Sequence, residues 1–267
     1  MTVELEWCSL NDVLVVIPVY GQKNYTRKCI DSCIKMSGIL HDTLVVDDGS
    51  PNPYVQYGMN ILRLQENSGF TNAINQGILY AQTRGYKYVM LLNNDTEAKQ
   101  NFLKILYDHM ESNPNIGIAS SARLKSDDSF ELFGVDLIRG YQMITKKEHI
   151  TNENLDVNWV PFCSVLLRMD MIREIGLLNK KMRTHSSDLE YCIRAKINGW
   201  KVALVMGSRV FHHHEVTTRA NKIVPEKDQK VLLEILSGLY YAMFMNDIPL
   251  DAEHKTYGQL KFEVVQK

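Results

Sequence analysis

Short β-branched runs alternate with helix-spaced segments through the first part of this chain. Residues 13–19 (VLVVIPV) form an unbroken apolar run ending in Pro-Val-Tyr-Gly, as expected of a strand buried on both faces. Residues 25–36 follow with helical spacing, which puts Cys29, Ile30, Cys33 and Ile34 on one face. A second strand at 43–46 is stopped by Asp47-Asp48-Gly49-Ser50-Pro51. The pattern predicts further strands at 60–64, 86–92 and 116–120, with helices at 70–82 and 102–110. Strand and helix in turn at this spacing imply right-handed βαβ units and a mostly parallel, Rossmann-like sheet flanked by helices. In an open α/β sheet, ligands bind beyond the carboxyl ends of the strands, so chemistry is expected on that rim.

The pattern loosens after about residue 122. A hairpin is expected over 131–138 and 141–145, a strand over 159–168 and a short helix over 169–175. Another helix spans 187–198 and ends at Gly199, a C-cap. Strands follow at 201–206 and 210–214, and Pro225 opens a long apolar helix to about Met245. No Pro/Gly/Ser-rich linker divides the chain. The expectation is one domain over 1–225, with halves at about 1–122 and 123–225, and a packed C-terminal helix and tail over 226–267.

Composition narrows the function classes. Thirty basic residues against 31 acidic ones leave a formal charge of −1, so no bulk positive field exists to hold nucleic acid. The 45% hydrophobic content excludes a disordered chain. The five cysteines are odd in number and fit no zinc spacing, which points to packing thiols in a reducing compartment. The first residues lack a signal-peptide pattern, and no apolar run reaches the roughly 18–20 residues of a membrane span. A soluble, cytoplasmic protein is expected. Its apolar stretch at 231–245 is suited to core packing, a homodimer or peripheral membrane contact.

Four constellations could carry chemistry. VVDDGSPNP (45–53) ends a strand in acids able to accept hydrogen bonds from a ribose or a base imide, or simply to form an Asx turn. LLNNDTE (91–97) presents two amides and an acid where a hard divalent cation could share them with phosphate and water, although a turn or an N-cap would use the same residues. In SSDLEYCIRAKINGW (186–200), Asp188, Cys192 and Ala195 share a helix face, while Glu190 and Arg194 are i,i+4 partners. A surface helix with a salt bridge would look the same. In FHHHEVTT (211–218), His212 and His214 share one face of an extended segment and could complete a metal site begun by Asp95, or lie in a solvated loop.

Taken together, VLVVIPVYG, VVDDGS, ENSGFTNAINQGI and YVMLLNNDTE occur in the order and spacing of a GT-A glycosyltransferase. The chain resembles the inverting family-2 enzymes, especially the rhamnosyltransferase-like branch, from about Val13 to Thr218. VPFCSVLLRMDMIREIGLLNKKM and SDLEYCIRAKINGW resemble that family's acceptor-side segments. The resemblance implies that Asp48 reads the nucleobase and that Pro18 and Tyr20 line the nucleotide pocket. It implies that Asp95, with His212 or His214, holds Mn²⁺ or Mg²⁺ on the donor diphosphate, with Asn94 in its outer shell. Asp188 falls at the place of the catalytic base. The implied reaction is a metal-dependent, inverting, single-addition hexosyl transfer in polysaccharide biosynthesis. Its donor is a UDP- or dTDP-linked sugar and its acceptor a glycan or glycolipid. The chain departs from the family pattern in Asn93-Asn94-Asp95, Ser187 and Glu190. The two rival readings are a nucleotidyltransferase making NDP-sugars, whose triphosphate loop would need more Gly and Lys than residues 20–24 carry, and a decayed sugar-nucleotide-binding module.

Overall fold

A computed structural model describes residues 11–125, 127–132, 154–213 and 227–235. Strands β1 (Val13–Val19), β2 (Asp42–Asp47), β3 (Asn60–Arg63) and β4 (Tyr88–Leu92) alternate with helices α1 (Lys23–Met36) and α2 (Phe70–Thr83). Then come β5 (Thr96–Ala98), α3 (Phe102–Ser112), β6 (Ile116–Leu124), β7 (Phe130–Leu132) and β8 (Leu155–Asp156). The remaining elements are β9 (Ser164–Arg168), α4 (Met169–Ile175), α5 (Ser187–Ile197) and β10 (Lys201–His212). Residues 227–235 add a further helical segment.

One mixed sheet runs in the order β3-β2-β1-β4-β9-β6-β10-β5, with β7 on β6 and β8 on β10. Pairs β1–β2, β1–β4, β2–β3 and β6–β10 are parallel. Strand β9 lies antiparallel between β4 and β6, so those two run the same way. The six strands β1, β2, β3, β4, β6 and β10 therefore share a direction, and their carboxyl ends share a rim.

Both faces of the sheet are covered, which is why β1 is apolar at every position. Leu14 and Val16 pack with Ala73, Ile74 and Ile78 of α2. Val13, Val15 and Ile17 pack on the other face with Cys29, Ile30 and Cys33 of α1. The cysteines described are free and buried, as packing thiols should be. Helix α2 lies so close to β1 that a Cβ added at Gly77 would stand 2.3 Å from Val16 Cγ1. Gly→Ala in an open helix gains up to about 1 kcal/mol. Here the sign should reverse: Gly77→Ala is expected to cost about 1–3 kcal/mol by overpacking, read from denaturant melts.

Several expected boundaries move. The strand expected over 159–168 begins only at Ser164, because Pro161 has no N–H for a ladder and residues 162–163 form a turn. The two strands expected at 201–206 and 210–214 are one strand, β10, whose register on β6 shifts between Val205 and Arg209. A bulge keeps the pairing continuous. The short strands β5 and β8 carry no periodic signal and exist by pairing with β10. Gly199 at φ +83 ends α5 as expected, its N–H reaching the Lys196 carbonyl at 3.0 Å. Beyond β7, the expected hairpin lies outside the described residues, as does the expected C-terminal helix beyond residue 235. Among the described residues, no helix is long and apolar enough to cross a membrane.

Candidate active site

The carboxyl-end rim gathers residues that lie far apart in the chain. Tyr20 follows β1, Asp48 follows β2, Asp95 follows β4 and His212 closes β10. The first two loops are stitched together: Asp48 N–H donates to the Val19 carbonyl at 2.8 Å, and Gly21 N–H to Ser50 Oγ at 2.9 Å. Pro18 is buried opposite Val46, and Tyr20 is partly exposed on the rim.

The two acids of the second turn do different work. Asp47 is fully buried and accepts the Ser50 and Tyr54 N–H groups, each at 3.0 Å, and the Arg63 guanidinium. Burial pushes its carboxyl up, but these donors outweigh burial and hold it below the usual carboxylate range. Asp48 faces the loop before α2. Its Oδ1 accepts Ser68 N–H at 2.8 Å and Ser68 Oγ at 2.7 Å, and its Oδ2 accepts Gly69 N–H at 2.8 Å. These fill three of the roughly four acceptor positions of a carboxylate and leave one on Oδ2.

On the metal side, Asp95 Oδ1 and His212 Nε2 stand 3.0 Å apart, and both side chains are under a tenth exposed. These two residues are 117 positions apart in the chain. Cis donors at about 2.1 Å from an octahedral ion are separated by about 3.0 Å, so the spacing suits neighbouring ligands. The Asn93 amide nitrogen approaches His212 Nε2 at 3.5 Å, and its buried Oδ1 has no hydrogen-bond partner. Carboxylate, carbonyl-type oxygen and imidazole suit a hard ion such as Mn²⁺ with positions left for phosphate and water. Among the described residues, no third His, Cys, Asp or Glu joins the pair. Asn94 turns away and donates to Thr26 Oγ1 of α1 at 3.1 Å. His213 pairs with Glu97 at 2.7 Å instead, and His214 lies outside the described residues.

Asp188 is the second residue of α5 and only partly exposed. Burial raises its carboxyl above the ordinary Asp value. The N–H groups of Leu189, at 2.8 Å, and of Phe162 favour the charged form but do not cancel burial. The Trp159 indole faces it without completing a well-formed hydrogen bond. Segment 162–163 joins this acid to the metal side: Phe162 N–H faces Asp188, while the Cys163 carbonyl accepts Asn93 N–H at 2.9 Å. Burial pushes the Cys163 thiol up to about 11, and it feels the charges of Arg123, Asp95 and Asp188. Ser187 bonds Thr71 at 3.0 Å and locks α5 to α2. Glu190 accepts Arg194 through both oxygens, at 2.8 and 2.7 Å, and Arg194 also donates to the Ile175 and Leu177 carbonyls. That pair holds the helix and fills two of the roughly four acceptor positions of Glu190.

Arg123 gave no sequence signal, and Asn75 lies in the ENSGFTNAINQGI motif without a role of its own. Arg123 is 8% exposed at the end of β6, and its Nε has no hydrogen-bond partner. Asn75 clamps the Leu178 backbone, donating to its carbonyl at 2.9 Å and accepting its N–H at 3.0 Å. An arginine two residues before a loop looks like a surface residue until the fold buries it.

The profile of the family described as Glycosyl transferase family 2 matches residues 14–176. An uncharacterized glycosyltransferase of Rickettsia typhi is 26% identical over 235 residues, covering 79% of this chain and 68% of that relative. The solved structure of S. aureus TarS superposes with a TM-score of 0.62 at 13% identity, over 93% of this chain and 42% of that one. GalNAc-T7, solved with UDP, GalNAc and Mn²⁺, gives 0.61 at 14% identity, over 76% of this chain and 44% of that one. The chain thus spans less than half the length of either structure. Both likenesses show the fold, which is GT-A. With a profile match over more than half its length, the chain belongs to glycosyl transferase family 2.

Proposed function

We propose that this chain transfers one sugar from a nucleoside-diphosphate donor, UDP- or dTDP-linked, to a hydroxyl of a glycan or glycolipid acceptor, with inversion. The observation that carries the reading is the Asp95–His212 pair, with Asp188 on the far side of segment 162–163. GalNAc-T7, the structural neighbour solved with UDP and Mn²⁺, supports a nucleotide-sugar donor and a divalent ion. The order of the motifs supports the rhamnosyltransferase-like branch. We read 1–225 as one domain with a C-terminal helix packed on it.

Each residue then has a physical task. Asp48 offers its one open acceptor position to a base imide N–H, beside Pro18 and Tyr20. Asp95 and His212 would hold the ion, with the Asn93 amide beside them. When bound, the ion neutralises the leaving diphosphate as a Lewis acid. Arg123, buried near the end of β6, adds a cation whose charge is felt at Cys163. Asp188 takes the acceptor hydroxyl proton as the oxygen bonds to the anomeric carbon and the bond to the diphosphate breaks. A base already in place needs no covalent intermediate, so displacement is direct and inverts the centre.

The test is incubation of the purified chain with a panel of UDP- and dTDP-sugars and Mn²⁺, following release of free NDP. Slow hydrolysis of one donor, accelerated by a glycan acceptor, is expected. Pyrophosphate release from a nucleoside triphosphate and sugar phosphate would instead establish the nucleotidyltransferase. Tight NDP binding with no turnover of any donor would establish a binding module.

A further inference from the structure

Asp228 lies in the helical segment 227–235, beyond the region matched by the family profile, and is 6% exposed. Its carboxylate gathers three consecutive backbone donors. Oδ1 accepts Arg183 N–H at 2.9 Å, and Oδ2 accepts Thr184 and His185 N–H, each at 2.7 Å. Carboxylates receiving several backbone N–H groups make strong, directional contacts. The next residue, Ser186, sits in the left-handed region at φ +64, and α5 with Asp188 begins immediately after it. A non-glycine residue stays in that region only where its surroundings over-determine it.

The same segment also grips the donor side. The Arg183 carbonyl accepts Thr71 N–H at 3.1 Å, and its guanidinium bonds the Asn67 backbone and side-chain oxygens. Its stem lies over Gly69, whose N–H holds Asp48. Behind the clamp, Leu232 packs with Met182, Leu189 and Ile193. One carboxylate thus fixes the segment lying between the loop that holds Asp48 and the helix that carries Asp188.

We propose that Asp228 is a positioning residue for transfer: by clamping the backbone of 183–185 it sets Asp188 against the donor. This rests on the glycosyltransferase reading for its effect on turnover. The clamp itself is a claim about backbone order. A base must be held within about 0.5 Å of its productive place, and a displacement of about 1 Å can cost on the order of 100-fold in rate.

The test compares Asp228→Ala, Asp228→Asn and the distant core variant Leu106→Ala, which is destabilised in the opposite layer. Three quantities are measured: amide exchange, UDP binding by calorimetry and NDP release from the best donor of the panel. Asp228→Ala is expected to lose exchange protection at 183–185 while binding UDP with full stoichiometry. Its kcat should fall about 10- to 100-fold at saturating donor. Asp228→Asn keeps one carbonyl acceptor and should fall between wild type and Ala; it also serves if the Ala variant does not fold. Leu106→Ala should keep its kcat per UDP-binding molecule. An unchanged kcat per binding molecule in both Asp228 variants, or an equal fall in Leu106→Ala, overturns the positioning role while leaving the glycosyltransferase reading intact. If the wild type turns over no donor, that reading fails instead. Unaltered exchange at 183–185 in the Asp228 variants overturns the clamp in either case.

Discussion

Asp188→Asn should lower sugar transfer about 100-fold or more while leaving NDP-donor affinity near the wild-type value. The change keeps the size of the side chain and an oxygen for the Leu189 N–H, but the amide cannot take a proton near pH 7. Donor affinity should survive because the residues assigned to the donor lie elsewhere, after β1, β2, β4 and β10. NDP release together with calorimetry on one purified variant decides the matter. Near-normal turnover would remove Asp188 from the role and leave Glu190, held by Arg194, as the next acid to test.

Burial adds two signatures to the same variant. Because the Asp188 carboxyl is raised, the acid limb of wild-type turnover should lie above the ordinary Asp value of about 3.9. The stability effect has a definite sign. A folded-state value above the unfolded one means that stability is fully present below the unfolded value and is lost as pH rises through the folded value. At pH 7 the wild type carries the cost of a buried charge, which Asn removes. Asp188→Asn should therefore melt higher than wild type at pH 7, with the difference vanishing below about pH 4. A gain in stability together with a loss of turnover is not expected of an ordinary surface carboxylate.

Asp95→Ala should abolish metal-stimulated turnover. Charge stabilisation by a Lewis acid is worth several kcal/mol, on the order of 100- to 10,000-fold in rate. Chelation of the wild type should match the mutant, and Mn²⁺ should restore only the wild type. Calorimetry gives a readout independent of turnover: Mn²⁺ should tighten UDP binding to the wild type and not to Asp95→Ala. Full activity in excess EDTA would falsify the metal assignment. His212 would then serve only to hold Asp95 in place at 3.0 Å.

Much of the fold was legible because its signal is local. The continuous run of β1 announces burial on both faces, and the observed strand has the expected bounds. The helical spacing around Cys29 and Cys33 announced α1. The strand expected over 159–168 is present but starts five residues later, at Ser164, because Pro161 offers no N–H to a ladder. Strands β5 and β8 were invisible because three or two residues carry no period and gain their hydrogen bonds only from β10.

By itself the sequence determined which acids and histidines stand at strand ends and on which helix face Asp188 sits. Those properties follow from periods of two and 3.6 residues, which any chain displays locally. Only the tertiary structure decided how they meet. It set His212 against Asp95 across 117 positions and turned His213 to Glu97. It gave three acceptor positions of Asp48 to the 68–69 loop and both oxygens of Glu190 to Arg194. It buried Arg123 beside the rim and placed Asp228 under the segment that leads to Asp188. Such contacts depend on register, crossover and loop closure between distant segments, whose entropy grows only slowly with loop length and leaves no mark on neighbouring residues.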